Sequence, residues 1–127
     1  MTGFVFDAGA LIALERGDRA VVMLLKRLLV LRGQLVVPAG VIGQIWRNGA
    51  RQARLARLLG SPLSKVEPLD DHRARAAGQL CGIAGTGDVI DASVVLAARS
   101  HKFPIATSDP EDLRRLDPNV RLFEVCP

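Results

Sequence analysis

The chain has 127 residues, with 17 Lys and Arg against 13 Asp and Glu, a formal charge of +4 and pI ≈ 9.8, as expected of one compact, mildly basic domain spanning residues 1–127. Hydrophobic residues make up 49% and charged ones 24%, a balance that supports a buried core and excludes a disordered tail. The most apolar stretch, Val21 to Leu31, is cut by Lys26 and Arg27, well short of the roughly 18 apolar residues of a membrane-spanning helix.

The first residues carry no basic, apolar and small-residue leader pattern, so a cytoplasmic location away from membranes is expected. Phe4-Val5-Phe6 reads as a short strand ending at Asp7, and a helix runs from Ala10 to Glu15. A second helix, Arg19 to Leu31, places Val21, Val22, Leu24, Leu25, Leu28 and Leu29 at helical spacing and stops at Gly33. Gln34 to Pro38 is a second strand. Ala39 to Gly49 is helical by pattern, and Arg51 to Leu59 continues it until Gly60-Ser61-Pro62 breaks it. Ser64 to Pro68 is a weaker strand, and Asp70 to Leu80 a helix. A glycine-rich turn, Gly82 to Gly87, precedes a helix from Asp88 to His101. Phe103 to Thr107 is a fourth strand, Pro110 to Leu116 a short helix and Val120 to Val125 a final strand. Strands alternating with helices predict an α/β fold with a parallel sheet between helical layers. Cys81 and Cys126 are far apart with no CxxC spacing, which argues against a disulfide framework or structural zinc and predicts a buried thiol and a frayed terminal one.

Open α/β sheets bind ligands beyond the carboxyl ends of their strands, so the acids at those ends are informative. Asp7 follows the first strand directly, and Asp109 comes two residues after Thr107 at the end of the fourth, with Asp112 a turn later. Asp88 and Asp91 open the helix between the glycine turn and that strand. Each residue taken alone also reads as a helix cap, most clearly in Asp109-Pro110-Glu111-Asp112. Together they converge on one edge, where two carboxylates about 4 Å apart repel by roughly 4 kcal/mol at an effective dielectric near 20. A divalent cation compensates such a cluster, and oxygen ligands without His or Cys select Mg²⁺ or Mn²⁺ over zinc. His72 and His101 lie at a helix entry and a helix end and read as surface residues away from that edge.

These strings resemble the PIN-domain family, and within it the VapC-type ribonuclease toxins of type II toxin–antitoxin modules. The likeness rests on Phe4-Val5-Phe6-Asp7-Ala8-Gly9-Ala10-Leu11-Ile12, on Val37-Pro38-Ala39-Gly40-Val41-Ile42-Gly43-Gln44-Ile45-Trp46-Arg47, on Gly87-Asp88-Val89-Ile90-Asp91-Ala92-Ser93-Val94-Val95, and on Ala106-Thr107-Ser108-Asp109-Pro110-Glu111-Asp112-Leu113. It implies a PIN-like three-layer sandwich with a parallel five-stranded sheet. It further implies a Mg²⁺-dependent endoribonuclease, with Mn²⁺ as the other ion, hydrolysing RNA phosphodiesters and held by a VapB-like antitoxin, the toxin itself pairing as a homodimer. Carried over by position, Asp7, Asp91 and Asp109 are the metal-holding catalytic acids, and Asp88, Asp112 and Thr107 accessory groups. Where the family has a glutamate, this chain has Gln44, whose amide oxygen orients water or accepts a hydrogen bond but brings no charge, which lowers the expected metal affinity. The alternative is a catalytically weakened fold that binds RNA or antitoxin without cutting.

Basic residues supply the counterpart to an acidic site facing RNA. Arg47, Arg51, Arg54 and Arg57 recur at i, i+4, i+7 and i+10, one stripe for RNA or antitoxin if their helix is continuous. Trp46 is the one large anchor, for the core or for a partner. With 4% aromatic residues and no Tyr, base stacking on aromatic rings has little to draw on, so backbone charge and RNA shape are left for recognition. A phosphoacceptor receiver domain is disfavoured because Asp7 is followed by Ala8-Gly9 and Lys102 precedes its strand. A P-loop is disfavoured because Gly82 to Gly87 lacks the Gly and Lys spacing.

Overall fold

The computed structural model describes residues 2–126. Five strands, β1 (Gly3–Phe6), β2 (Gln34–Pro38), β3 (Ser64–Glu67), β4 (Ile105–Thr107) and β5 (Leu122–Glu124), form one all-parallel sheet in the order β3-β2-β1-β4-β5. The helices are α1 (Ala8–Glu15), α2 (Arg19–Val30), α3 (Ala39–Ile45), α4 (Ala53–Leu59), α5 (Asp71–Ala84), α6 (Val89–His101) and α7 (Pro110–Leu116). Helix α1 packs on α2, α3 and α4, while α5, α6 and α7 pack on one another, giving a helical layer on each face of the sheet. The central strands are buried on both faces and are nearly continuous apolar runs: Val5 and Phe6, Leu35 to Val37, Ile105 and Ala106. The edge strands β3 and β5 expose Lys65, Val66, Phe123 and Glu124. The expected α/β sandwich with a parallel five-stranded sheet is the observed one.

Strand order reverses beside β1, with β2 and β3 laid down on one side and β4 and β5 on the other. The carboxyl ends of β1 and β4 therefore flank a topological switch point, where the two connecting chains diverge and leave a crevice.

Three local readings are corrected. The helix across residues 39–59 is broken at 46–52, so the four arginines form no continuous stripe. Trp46 leaves the helix at φ −71, ψ 125, and the Arg47 guanidinium donates to the carbonyls of Gly43, Gln44 and Trp46 at 3.3, 3.1 and 2.7 Å. Gln52 completes the stop: its Oε1 accepts from the N–H groups of Arg47 and Asn48, and its Nε2 donates to the Ile45 carbonyl and to Glu15. Side chains thus occupy the groups that the next helical turn would have used. Arg54 and Arg57 remain on α4, Arg51 lies in the loop, and all four arginines are exposed. In α5 the helix runs through Gly82 and stops at Gly85, whose φ of 73 is the left-handed position a glycine cap supplies. His101 is not a free surface residue: its side chain is 17% exposed and its Nε2 lies 3.0 Å from Glu67 Oε1. His72 is exposed, as expected, and Trp46 is exposed rather than core. Cys81 is buried, Cys126 exposed, and both are free thiols. Among the described residues no single helix is long and apolar enough to cross a membrane.

Candidate active site

Asp7 ends β1 with its N–H on the Ala106 carbonyl at 3.3 Å, and its Oδ1 accepts from Ala10 N at 3.0 Å, capping α1. Only 6% of it is exposed. Burial pushes its carboxyl above the usual 3.8, and the Asp109 charge adds to the rise; the Thr107 hydroxyl and the Ala10 and Gly9 amides oppose it. Thr107 itself is fully buried and accepts from Asp109 N at 2.9 Å. It therefore ties the backbone after β4 to the carboxylate after β1. Gly9 permits this closeness, because a Cβ there would overlap the Ser108 side chain.

Asp91 sits in the first turn of α6, half-buried. Burial first, then the charge of Asp88 and a hydrogen bond with it, then the charges of Asp112 and Asp7, raise its carboxyl to about 7. The neighbouring Asp88 caps the helix through Oδ1 on Asp91 N at 2.9 Å. Gly40 in α3 faces Ile90 of α6, whose Cδ1 occupies the space that a Cβ at Gly40 would take. Asp109 stands at the cap position of α7 but makes no side-chain capping bond. Its carboxylate is exposed, which removes the capping explanation for that residue. Asp112 is exposed in the first turn of α7.

Five carboxylates from three chain segments thus share one edge and act on one another across it. Among the described residues none of the five is ion-paired; the salt bridges use Glu67, Asp70, Asp71, Asp117 and Glu111 instead. Gln44 is exposed on α3 and is not one of the principal groups acting on Asp7 or Asp91. Arg47 lies beside it, with its guanidinium on main-chain carbonyls.

The donor set is oxygen throughout, which suits a hard divalent cation. Among the described residues no three His, Cys, Asp or Glu side chains are gathered closely enough to hold an ion as they stand. Carboxylates brought to one edge repel one another, and a doubly charged ion is the kind of partner that offsets such repulsion. Two features of this edge escaped the sequence reading. Gly9 against Ser108 left only a small residue beside an acid as its signal, and Glu67 with His101 joins groups 34 positions apart.

Solved structures share the fold. VapBC2 from Rickettsia felis, bound to a DNA fragment from their promoter, superposes with a TM-score of 0.73 at 13% identity, over 98% of this chain and 100% of that one. FitAB bound to an IR36 DNA fragment gives 0.66 at 20% identity, over 95% and 94% of the two chains. FitAcB from Neisseria gonorrhoeae gives 0.62 at 20%, over 94% and 96%. No curated protein matches the sequence. The PIN-domain family model matches residues 4–118, which take in every acid of the site. The chain belongs to the PIN-domain family.

Proposed function

We propose that this protein is a divalent-metal-dependent endoribonuclease, the toxin component of a type II toxin–antitoxin module. The observation that carries the reading is the acid cluster at the switch point, with no ion pair to any of its five carboxylates among the described residues, in which burial and the neighbouring Asp88, Asp112 and Asp7 push the Asp91 carboxyl up to about 7. Asp7 and Asp91 are the principal ligands of Mg²⁺ or Mn²⁺, Asp109 is the third, and Asp112 and Asp88 stand behind them. When bound, the ion supplies charge neutralisation at the scissile phosphate and an activated water. The chain's own part is placement: the Thr107 hydroxyl bonds to the Asp7 carboxylate, Asp88 fixes the turn carrying Asp91, and the exposed Asp109 adds its charge beside Asp7. RNA approaches over Arg51, Arg54, Arg57 and Trp46, and its phosphates offset the local acidity.

An antitoxin partner is supported by two features. The fold neighbours VapBC2 and FitAB are toxin–antitoxin complexes. Met23, Leu29, Val30 and Leu31 on and after α2 are 54–82% exposed, an apolar patch beyond what a lone surface needs. We further propose that the toxin pairs as a homodimer and works in the cytoplasm. A second reading, a binding module without turnover, draws on Gln44, which leaves the site one charge poorer.

The test is cleavage of a mixed-sequence RNA by purified protein with Mg²⁺ and with EDTA. Cleavage should need the ion and be lost in Asp7→Asn and Asp91→Asn, both folded. Asn still caps a helix, so loss of the α1 start does not confound the first variant. Activity that persists in either variant refutes the assignment, and ion binding without cleavage selects the binding module.

A further inference from the structure

A second feature lies on the same sheet edge. A cleft of about 300 Å³ opens beyond β2 and β3 between α5 and α6, with Pro38, Leu69, Ala76 and Leu96 as apolar walls and Glu67 among its lining residues. Glu67 is 7% exposed, a buried carboxylate at the end of an edge strand. Its Oε1 receives both His101 Nε2 at 3.0 Å and Arg73 at 3.5 Å. The His101 ring is held flat against Phe103, centroids 5.5 Å apart, and Arg73 is held by the Pro68 carbonyl at 3.3 Å. Both partners take the same oxygen. Among the described residues no fully enclosed side-chain oxygen lacks a partner, so Oε2, which takes neither the His101 nor the Arg73 bond, is not sealed off and is the acceptor left to this cleft-lining residue.

A buried carboxylate, held on one oxygen and lining a small, mostly apolar cleft, suits a flat ligand with adjacent N–H donors. Guanine presents two such donors side by side, N1–H and its 2-amino group; the other RNA bases interleave donors with acceptors on that edge. The cleft is at the small end of ligand pockets, sized for a base rather than a folded peptide.

Its position links it to the acids. Val5 pairs with Val36, and Pro38 with Glu67; two residues further, Asp7 comes level with Pro38. Glu67 then stands two strands from Asp7, about 10 Å away. Helix α6 runs past both sites, carrying Asp91 in its first turn and Ser93, Leu96 and Ser100 along the cleft wall. We propose that this cleft receives an unpaired guanine of the RNA strand next to the scissile phosphate, read by the Glu67 carboxylate, so that Glu67 determines cleavage specificity. This rests on the nuclease reading above, and sequence-specific readout of splayed single-stranded bases is the usual mode for RNA. It also supplies base recognition to a chain with few aromatic residues.

The binding arm uses the full chain in EDTA, titrated by NMR with guanosine and inosine 5′-monophosphates, which differ by the 2-amino group. Guanosine monophosphate should bind about tenfold more tightly than the inosine analogue, with shifts centred on Ala76 and Ser93 to Ser100. Glu67→Gln should remove the difference. Should that variant fail to fold, Ala76→Leu, which fills the cleft without touching Glu67, should abolish binding of both. Equal affinities in the wild type, or no binding at millimolar ligand, overturn the proposal. The cleavage arm maps cuts in Mg²⁺ on RNAs that vary beside the cut. Cutting with no guanine preference, or a preference that survives Glu67→Gln, overturns the guanine pocket and leaves the nuclease standing. Guanosine binding without Mg²⁺-dependent cutting upholds the pocket and refutes the nuclease.

Discussion

Removing the Asp91 charge should make the metal-free protein more stable while destroying its site. The carboxyl ionises near 3.8 when unfolded and near 7 when folded, so the native state keeps a proton that the unfolded chain has lost between those values. Wild-type stability therefore falls as pH rises through that window, and the loss is complete above pH 7. Three pH units correspond to about 4 kcal/mol, but the group is half-exposed, and solvent screening reduces this to about 1–2 kcal/mol. Asp91→Asn removes the penalty and keeps a side chain of the same shape that still bonds to Asp88. In EDTA at pH 8, its melting temperature should rise by about 4–8 °C. The gain should shrink as pH falls from 7 towards 4, where the wild-type carboxyl is protonated as well. Mg²⁺ should raise the melting temperature of the wild type and leave the variant unmoved. A variant no more stable than wild type at pH 8, or equally stabilised at pH 5, would show that Asp91 carries no trapped charge.

Three other outcomes follow from the same structure. Because a proton on Asp91 competes with the ion, the apparent Mg²⁺ affinity should fall about tenfold between pH 8 and pH 6, measured by calorimetry; a flat profile would place the ion elsewhere. Gln52→Ala breaks three hydrogen bonds that end α3 and a fourth to Glu15 on α1, and should cost about 1–3 kcal/mol in urea unfolding, whereas a change under about 0.5 kcal/mol would mean that water replaces them. Reversing Arg51 and Arg54 to Glu should weaken RNA binding and lower the salt dependence by about two counterions; an unchanged salt slope would exclude this face as the RNA path.

Most of the fold was legible because local and global signals agree. The central strands are apolar runs ending where a polar or proline residue appears, and Asp18, Asp70 and Asp88 cap the helices that follow them. The acids were legible for the same reason: Asp7, Asp91 and Asp109 each stand at the end of an element that a parallel sheet sends to one edge. The break after α3 was not, because it is made by Arg47 and Gln52 side chains bonding to main-chain groups, and arginine periodicity reads the same on a continuous helix. Gly82 and Gly85 look alike in sequence; the backbone of one is ordinary helix and that of the other left-handed. The Glu67–His101 pair is purely tertiary, between an edge strand and the far end of α6, and no local pattern marks it. Asp109 reads as a cap and occupies the cap position, yet its carboxylate is free, a distinction that only side-chain geometry makes.

Anomalous diffraction from crystals grown with Mn²⁺ bears most directly on the site. A peak should lie between the Asp7 and Asp91 carboxylates with Asp109 turned towards it, the acids drawn inward from their present spread. Saturating Mn²⁺ that leaves those carboxylates apart, with the ion bound elsewhere or nowhere, would contradict a metal site at the switch point.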